Sequence, residues 1–489
     1  MFSRMTVFAV LIAAGGCATI QEPLRANISA ATGDVQQCAA WYRGLDERID
    51  RAGVRDAGEY RLPGFPYLRT DRFVASFRTA AAASPEKFEA WVVRMRDLDQ
   101  AARGWEIRNL AEGAVPRDER TLLTEKARTC AQVLMAHDFA SPERGRLLAE
   151  RAQVPDDYIT WQRAIGLYAI TKVPFSYGIE SWHKEATEAF RKSAAGELTF
   201  AAAKRFVPPA RFGNPSRDIL KKAGRDALGV PQLNPAQVDE LFAAHAPVIE
   251  VEQTGDHDRI GALSWEKGPA PAVDPLRPVV YRALAYTRSG EDTLLQLVYV
   301  AWFTERPRTG AFDTMGGRLD GIVWRVTLDP RGTPMVFDTI HPCGCFHMFF
   351  PAAGVEAIPA PSGLVEWAFV PMKAPTASSG ERLRMRLQTR THYMVGLSTD
   401  ATMDGERYVL ADYDDLRSLP VAGGGARSGF RADGLVAGTE RGERIFFWPM
   451  GVPSAGAMRQ WGHHATAFVG RRHFDDADLM EKRFVPASR

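Results

Sequence analysis

The chain has 489 residues, 45% hydrophobic and 25% charged, which is enough apolar material for a sizeable core and excludes a disordered or collagen-like chain. Sixty-one basic against 59 acidic side chains leave a formal charge of +2. That balance excludes a dedicated nucleic-acid binder, whose phosphate contacts need a basic face. At roughly 100–200 residues per domain, the length predicts two or three domains, or a helical domain joined to a large β domain.

The chain opens Met-Phe-Ser-Arg-Met-Thr, continues with an apolar run over 7–14, and reaches Gly15, Gly16 and Cys17. Arg4 supplies a positive n-region, and the apolar run falls far short of the roughly 20 residues that cross a bilayer, so 1–16 reads as a cleaved export signal. Ala14-Gly15-Gly16-Cys17 resembles the bacterial lipoprotein signal, with Ala14 where that family prefers Leu. The resemblance implies that Cys17 is lipidated and becomes the new N-terminus, and that Ala18, which is not Asp, directs the protein to the outer membrane, on its periplasmic face. The alternative is an ordinary secretory leader that happens to carry a cysteine. Residues 17–33 then form a linker, and no later stretch is apolar enough to span a membrane.

From 34 to 205 the pattern predicts an α-helical domain. Ser84-Pro85-Glu86 and Ser141-Pro142-Glu143 each place a capping Ser before a Pro at the first helical position and an acid in the first turn. After the first, Phe88, Trp91, Val92, Met95 and Leu98 line one apolar face. Further helices are predicted at 34–52, 118–137, 156–170 and 176–193, with Pro174 interrupting between the last two. Cys38 shares a face with Val35, Trp41 and Leu45, and Cys130 with Leu123, Ala127 and Leu134, so both point into the bundle. They could join two helices or remain buried thiols, and an oxidising compartment favours the Cys38–Cys130 disulfide.

A Pro- and Gly-rich junction over 206–246 leads to a β-rich domain at 247–475 and a tail at 476–489. Alternating, β-branched or aromatic segments at 279–286, 293–303, 321–328, 335–340, 365–370, 383–393 and 445–448 predict strands. Asp329-Pro330-Arg331-Gly332 fits the hairpin turn between two of them. The whole is therefore expected to be α+β, with an N-terminal helical domain followed by a mostly antiparallel β domain, a sandwich or an irregular barrel.

His341-Pro342-Cys343-Gly344-Cys345-Phe346-His347 follows the 335–340 strand, and two thiols with two imidazoles suggest zinc or copper. In an extended segment alternate residues stand about 6.6–7 Å apart, which separates the outer histidines by roughly 20 Å, too far for one ion. A metal site would combine Cys343, Cys345 and His341 or His347 with distant ligands such as His392, His463, His464 or His473. Pro342 and Gly344 favour a turn here, in which the sulfurs could instead form a reducible Cys343–Cys345 disulfide. The plainest alternative is a stabilising disulfide, or two thiols near a β core with incidental histidines.

Nearer the C-terminus, Trp461, Arg471, Arg472 and His473 could build a pocket for an anionic or sugar ligand by ring stacking and guanidinium forks. A strand with snorkelling arginines is the competing reading. The 341–347 and 458–474 stretches resemble segments of bacterial envelope proteins with no assigned activity, a resemblance that implies location and no chemistry.

The zinc-protease helix, nucleophile elbow, Walker loop and haem-attachment patterns are missing from the sequence. Bare Ser-x-x-Lys spacings at Ser84 and Ser181 lack their companion motifs. Asp256-His257-Asp258 reads as a solvated acidic loop or a weak cation site. These features point to a membrane-anchored envelope lipoprotein with a binding or structural role, its lipid anchor in the membrane and a protein or small-molecule partner. The alternative is a metal-dependent or thiol-redox periplasmic enzyme built on Cys343, Cys345 and His347.

Overall fold

The computed structural model describes residues 33–113, 115–209, 213–265, 268–361 and 363–487. The leader, Cys17 and most of the expected linker lie outside the described residues. The fold is α+β, with a helical region first and mainly antiparallel sheets after it.

In the N-terminal region helices Asp34–Ala52, Pro85–Asn109, Arg117–Asp138 and Pro142–Arg151 surround a small hairpin, Tyr60–Leu62 with Phe65–Thr70. Ser84 Oγ accepts from the Lys87 amide and Pro85 opens the helix, as the cap pattern predicts. Trp91, Val92 and Met95 then bury their shared face against Phe65, Tyr67 and Leu134. Cys38 and Cys130 are disulfide-bonded across this core. A loop of this length contributes about 2–4 kcal/mol through the unfolded chain. Arg69 and Arg103 are also buried here, held by Asp46, Asp99 and Glu106.

The C-terminal region is built on Asp292–Arg306, which pairs with Gly317–Leu328 along one edge and with Val279–Ser289 and Ile260–Ser264 along the other. Its side chains alternate between two cores, which explains the unbroken apolar run in the sequence. Leu295, Leu297, Tyr299, Ala301 and Phe303 face a second, five-stranded sheet and share a core with its Phe206, Ile249, Val251, Met385 and Leu397. Val298, Val300 and Trp302 face the other way, onto an irregular layer carrying Trp265, Tyr413, Phe430, Met458 and Phe474. Among the described residues three strand pairs are parallel and the rest antiparallel. Beyond Gly317–Leu328 come Pro334–Ile340 and then Met348–Pro351 at the sheet edge. The predicted turn at 329–332 is present, with Gly332 at φ 81 and Asp329 Oδ1 accepting from the Arg331 and Thr333 amides.

Several expectations are corrected. Residues 365–370 run extended but form no ladder, because Glu366 N bonds to Val469 O and Phe369 O accepts from Phe349 N, single bonds to two different partners. The 445–448 segment is folded into two 3-10 turns. The 383–393 segment is a strand only over Arg382–Leu387, after which the chain turns into Met394–Asp400. Pro174 does not break its helix, which runs from Tyr168 to Ala194. It lies in the second turn on an exposed face, where water can satisfy the carbonyl that loses its donor.

That helix leaves the N-terminal bundle. Its Phe190 is buried among strands of the two-sheet core, so the last predicted helix of the 34–205 segment serves the β region. The two regions also interlock through polar contacts. Arg417 forks onto Asp56 and Glu59, and Arg72 donates to Gly462 O and Asp475.

Candidate functional site

The 341–347 segment is the connection of an antiparallel hairpin whose strands are Pro334–Ile340 and Met348–Pro351. Gly344 N donates to His341 O, and His341 N to Cys345 O. Gly344 is at φ 92, and a Cβ there would stand 2.5 Å from Ala465 O, so both the turn and its close approach to the 458–474 segment require glycine. The loop is therefore a compact turn, and its side chains diverge.

His341 points to one side. Its Nδ1 lies 3.3 Å from Asp320 Oδ1, while Asp320 Oδ2 takes His392 Nδ1 at 2.8 Å. His392 is stacked on Phe303 at 3.8 Å, and its Nε2 reaches His257 O at 3.1 Å and Asp258 Oδ1 at 3.6 Å. The result is a buried chain His341, Asp320, His392, Asp258. Burial opposes charge on His392 and Asp320, yet the hydrogen bonds His392 makes to Asp258 and Asp320 raise its pKa, and the two histidines hold Asp320 well below the usual carboxylate range. Asp258 is likewise held low, also by the amides of Thr254 and Arg390. In the Asp256–Asp258 turn Asp256 is exposed, whereas Asp258 is fully buried as the anchor of His392.

His341 also lines a partly enclosed cavity of about 180 Å³ between the Tyr168–Ala194 helix and the sheet. Trp182, Ala186 and Ala189 of the helix face Ile322, Phe346, Met348 and Met394, with Thr339, Gln388, Tyr393 and Glu185 as polar groups. With Nδ1 donating to the Asp320 carboxylate, Nε2 of a neutral ring is an acceptor, and this atom is buried with no partner in the protein. The surrounding backbone is strained. Of six non-glycine residues with positive φ among the described residues, four border this site: Leu319, Phe346, Arg390 and His392. Left-handed geometry costs free energy at residues with a Cβ, and it persists where the surroundings demand it.

His347 points to the other side and is sealed in. Its Nε2 meets Asp338 Oδ2 at 2.9 Å, and Asp338 also receives both ends of the Arg325 guanidinium. Phe349 and Phe474 cover the ring. Burial outweighs Asp338 and lowers the His347 pKa to about 3.

The thiols lie between the histidines and are free, Cys343 buried and Cys345 partly so. The hydrogen bond Cys345 gives to Cys343 and then burial raise Cys345 well above the usual thiol value. A thiol held in its neutral form is a poor nucleophile and a poor metal ligand.

The remaining sequence candidates are dispersed. His463 contacts Asp157, Ala57 O and the Tyr60 hydroxyl. His464 is buried, which lowers its pKa to about 3. His473 contacts Asp156, Asp157 and Asp476, and the acids outweigh burial to raise it to about 9. Among the described residues no three His, Cys, Asp or Glu side chains gather as a metal site. The expected convergence of Cys343, Cys345, His341 or His347 with His392, His463 or His464 does not occur, because each ring is claimed by a carboxylate or carbonyl, or walled in by apolar groups.

The expected anion or sugar pocket is also taken apart by internal partners. Arg472 is buried against Thr466 and the carbonyls of Glu366 and Trp367, Arg471 pairs with Asp156, and Trp461 packs edge-on to Phe474.

Sequence reasoning missed Asp320 and the cavity. Asp320 sits just before the predicted 321–328 strand, and its one sequence signal is an acid between Leu319 and the apolar run that starts at Ile322. What the fold and site define is an α+β protein with a carboxylate-backed histidine at a small, largely apolar cavity. No family model matches the chain, and neither a curated protein nor a solved structure matches it.

Proposed function

We propose that this is a membrane-anchored protein of the bacterial cell envelope, lipidated at Cys17, that binds a compact, largely apolar ligand in the His341 cavity through a hydroxyl or N–H donated to His341 Nε2. The observation that carries the reading is that unpartnered Nε2 on a ring fixed by Asp320 and facing an aromatic-lined cavity. An unsatisfied buried acceptor costs free energy that a donor on a ligand, or an ordered water in its absence, removes. The leader resemblance supports the envelope location, and no helix among the described residues is long and apolar enough to cross a membrane.

A second reading follows from the same pair. Asp320 fixes the tautomer that leaves Nε2 basic, the arrangement of a general base, so a ligand with an acidic proton would become a substrate. The metal version finds no gathered ligand set among the described residues, while the thiol-redox version keeps Cys343 and Cys345 as free neighbouring thiols.

The test is NMR of the full chain carrying Cys17→Ser, with ring-labelled histidine, titrated with phenol as a compact aromatic hydroxyl. One histidine, absent in His341→Phe, should shift saturably, and Ala186→Trp, which fills the cavity, should abolish the response. A titration in which no histidine moves, or in which His341→Phe leaves binding intact, refutes the ligand site. Loss of palmitate labelling in Cys17→Ser tests the anchor separately.

A further inference from the structure

The Tyr168–Ala194 helix and the short Thr160–Ile165 helix before it meet at an exposed apolar corner. Ile165, Leu167 and Ile170 are each more than 60% exposed, and Trp161 and Tyr177 are 57% and 68% exposed. Leu167 forms the corner itself at φ 49, a left-handed conformation that glycine or asparagine adopts with less strain. The chain thus bears backbone strain and an unfavourable hydration together at one residue.

The patch continues across the molecule. Trp161 touches Trp448 and Phe175 touches Phe447, which brings in the adjoining Ile445 and Phe446, 72% and 61% exposed. An apolar surface of this extent marks an interaction face.

Lys172 is the one accessible charged side chain between Tyr158 and Ile179, since Arg163 is buried with its guanidinium on Met450 O and Gly470 O, and Arg444 adds an exposed cation beside Ile445. Aliphatic side chains at the tip, Trp and Tyr at the margin and the cations of Lys172 and Arg444 form the pattern of a segment lying in a membrane interface. An acyl anchor at Cys17 is compatible with this, since the chain between Cys17 and Asp34 reaches at most roughly 60 Å.

We infer that the corner formed by Trp161, Leu167, Ile170 and Tyr177, with Ile445 and Phe446, inserts into the surface of an anionic lipid bilayer and is a second point of membrane contact. The inference rests on the anchored reading only for the choice of lipid over another occupant, and the experiment removes the anchor.

The full chain carrying Cys17→Ser is mixed with phosphatidylethanolamine/phosphatidylglycerol vesicles and floated on a density gradient. It should rise with the vesicles, and brominated acyl chains should quench fluorescence that Trp161→Phe removes. Leu167→Asn, Ile170→Ser and Tyr177→Ser together should lower vesicle partitioning at least tenfold while leaving the thermal unfolding midpoint within a few degrees. This variant retains the leader, so the loss reports the corner alone. Unchanged flotation in the triple variant overturns the inference, as does a parent chain that stays at the bottom. A vesicle-free dimer that the triple variant dissociates also overturns it, in favour of a second copy as the occupant. None of these results depends on acylation of Cys17, which palmitate labelling of the unaltered chain reads independently.

Discussion

His341 and His347 bound the same seven-residue turn, both are buried, and each has one nitrogen on a carboxylate and one without a partner. Their surroundings differ in kind. Asp338 beside His347 also holds the Arg325 guanidinium, and Phe349 and Phe474 close over the ring. Asp320 beside His341 is shared with another histidine, and the His341 ring lines a cavity. The comparison teaches that a buried His–Asp pair has no function by itself; what the other ring nitrogen faces decides whether the pair holds the core or meets a ligand.

Removing the sealed carboxylate gives the largest effect. Asp338→Ala leaves Arg325 buried without its counter-ion and should cost about 3–5 kcal/mol in urea unfolding. A loss below about 1 kcal/mol would show that this end of the turn is less closed than its packing implies. The histidines themselves should split next. His347→Ala opens a void among Phe349, Phe474 and Arg325 and should cost about 2–3 kcal/mol. His341→Ala enlarges an existing cavity and should cost under about 1 kcal/mol while abolishing the phenol response. Equal costs for the two would break the distinction.

Acid gives a third measure. His347 is held neutral with a folded pKa of about 3, below its unfolded value, so its contribution is present above about pH 6.5 and is lost as pH falls toward 3. Between pH 6.5 and 5 the loss should be about 2 kcal/mol, and His347→Phe should flatten that part of the stability profile. His473 provides the opposite sign. Its pKa is raised to about 9 by Asp156 and Asp476 against burial, so its contribution is present below about pH 6.5 and disappears as pH rises through 9. With partial solvent screening of Asp156, His473→Gln should remove about 1 kcal/mol of alkaline destabilisation between pH 6.5 and 8, read from denaturant midpoints.

The α+β class and the helix starts at Ser84-Pro85 and Pro142 were legible because each depends on local chemistry, a cap, a fixed φ or a period of side chains. The Cys38–Cys130 pairing was legible for a related reason, since both cysteines lie on the apolar faces of helices that share one core. Residues 365–370 and 445–448 were misread because apolar composition reports burial or contact and says nothing about whether a neighbouring strand lies in register. Pro174 was misread because its cost depends on whether solvent reaches the carbonyl it leaves unpaired, which is a property of the surroundings.

The candidate site lies on the far side of that boundary. His341 and His392 stood out as residue types, but spacing along the chain suggested a metal shared with cysteines, and the actual partners are Asp320 and Asp258, 21 and 134 positions away from their respective histidines. By itself the sequence determined the class of fold, the disulfide and the turn at 341–347, all of which follow from local periodicity or near-neighbour geometry. Only the tertiary structure decided which imidazole meets a cavity, which is sealed, and that the helix after Tyr168 exposes its apolar residues. Each of those depends on what a distant segment places opposite a side chain, and burial, pairing and charge are properties of that opposition.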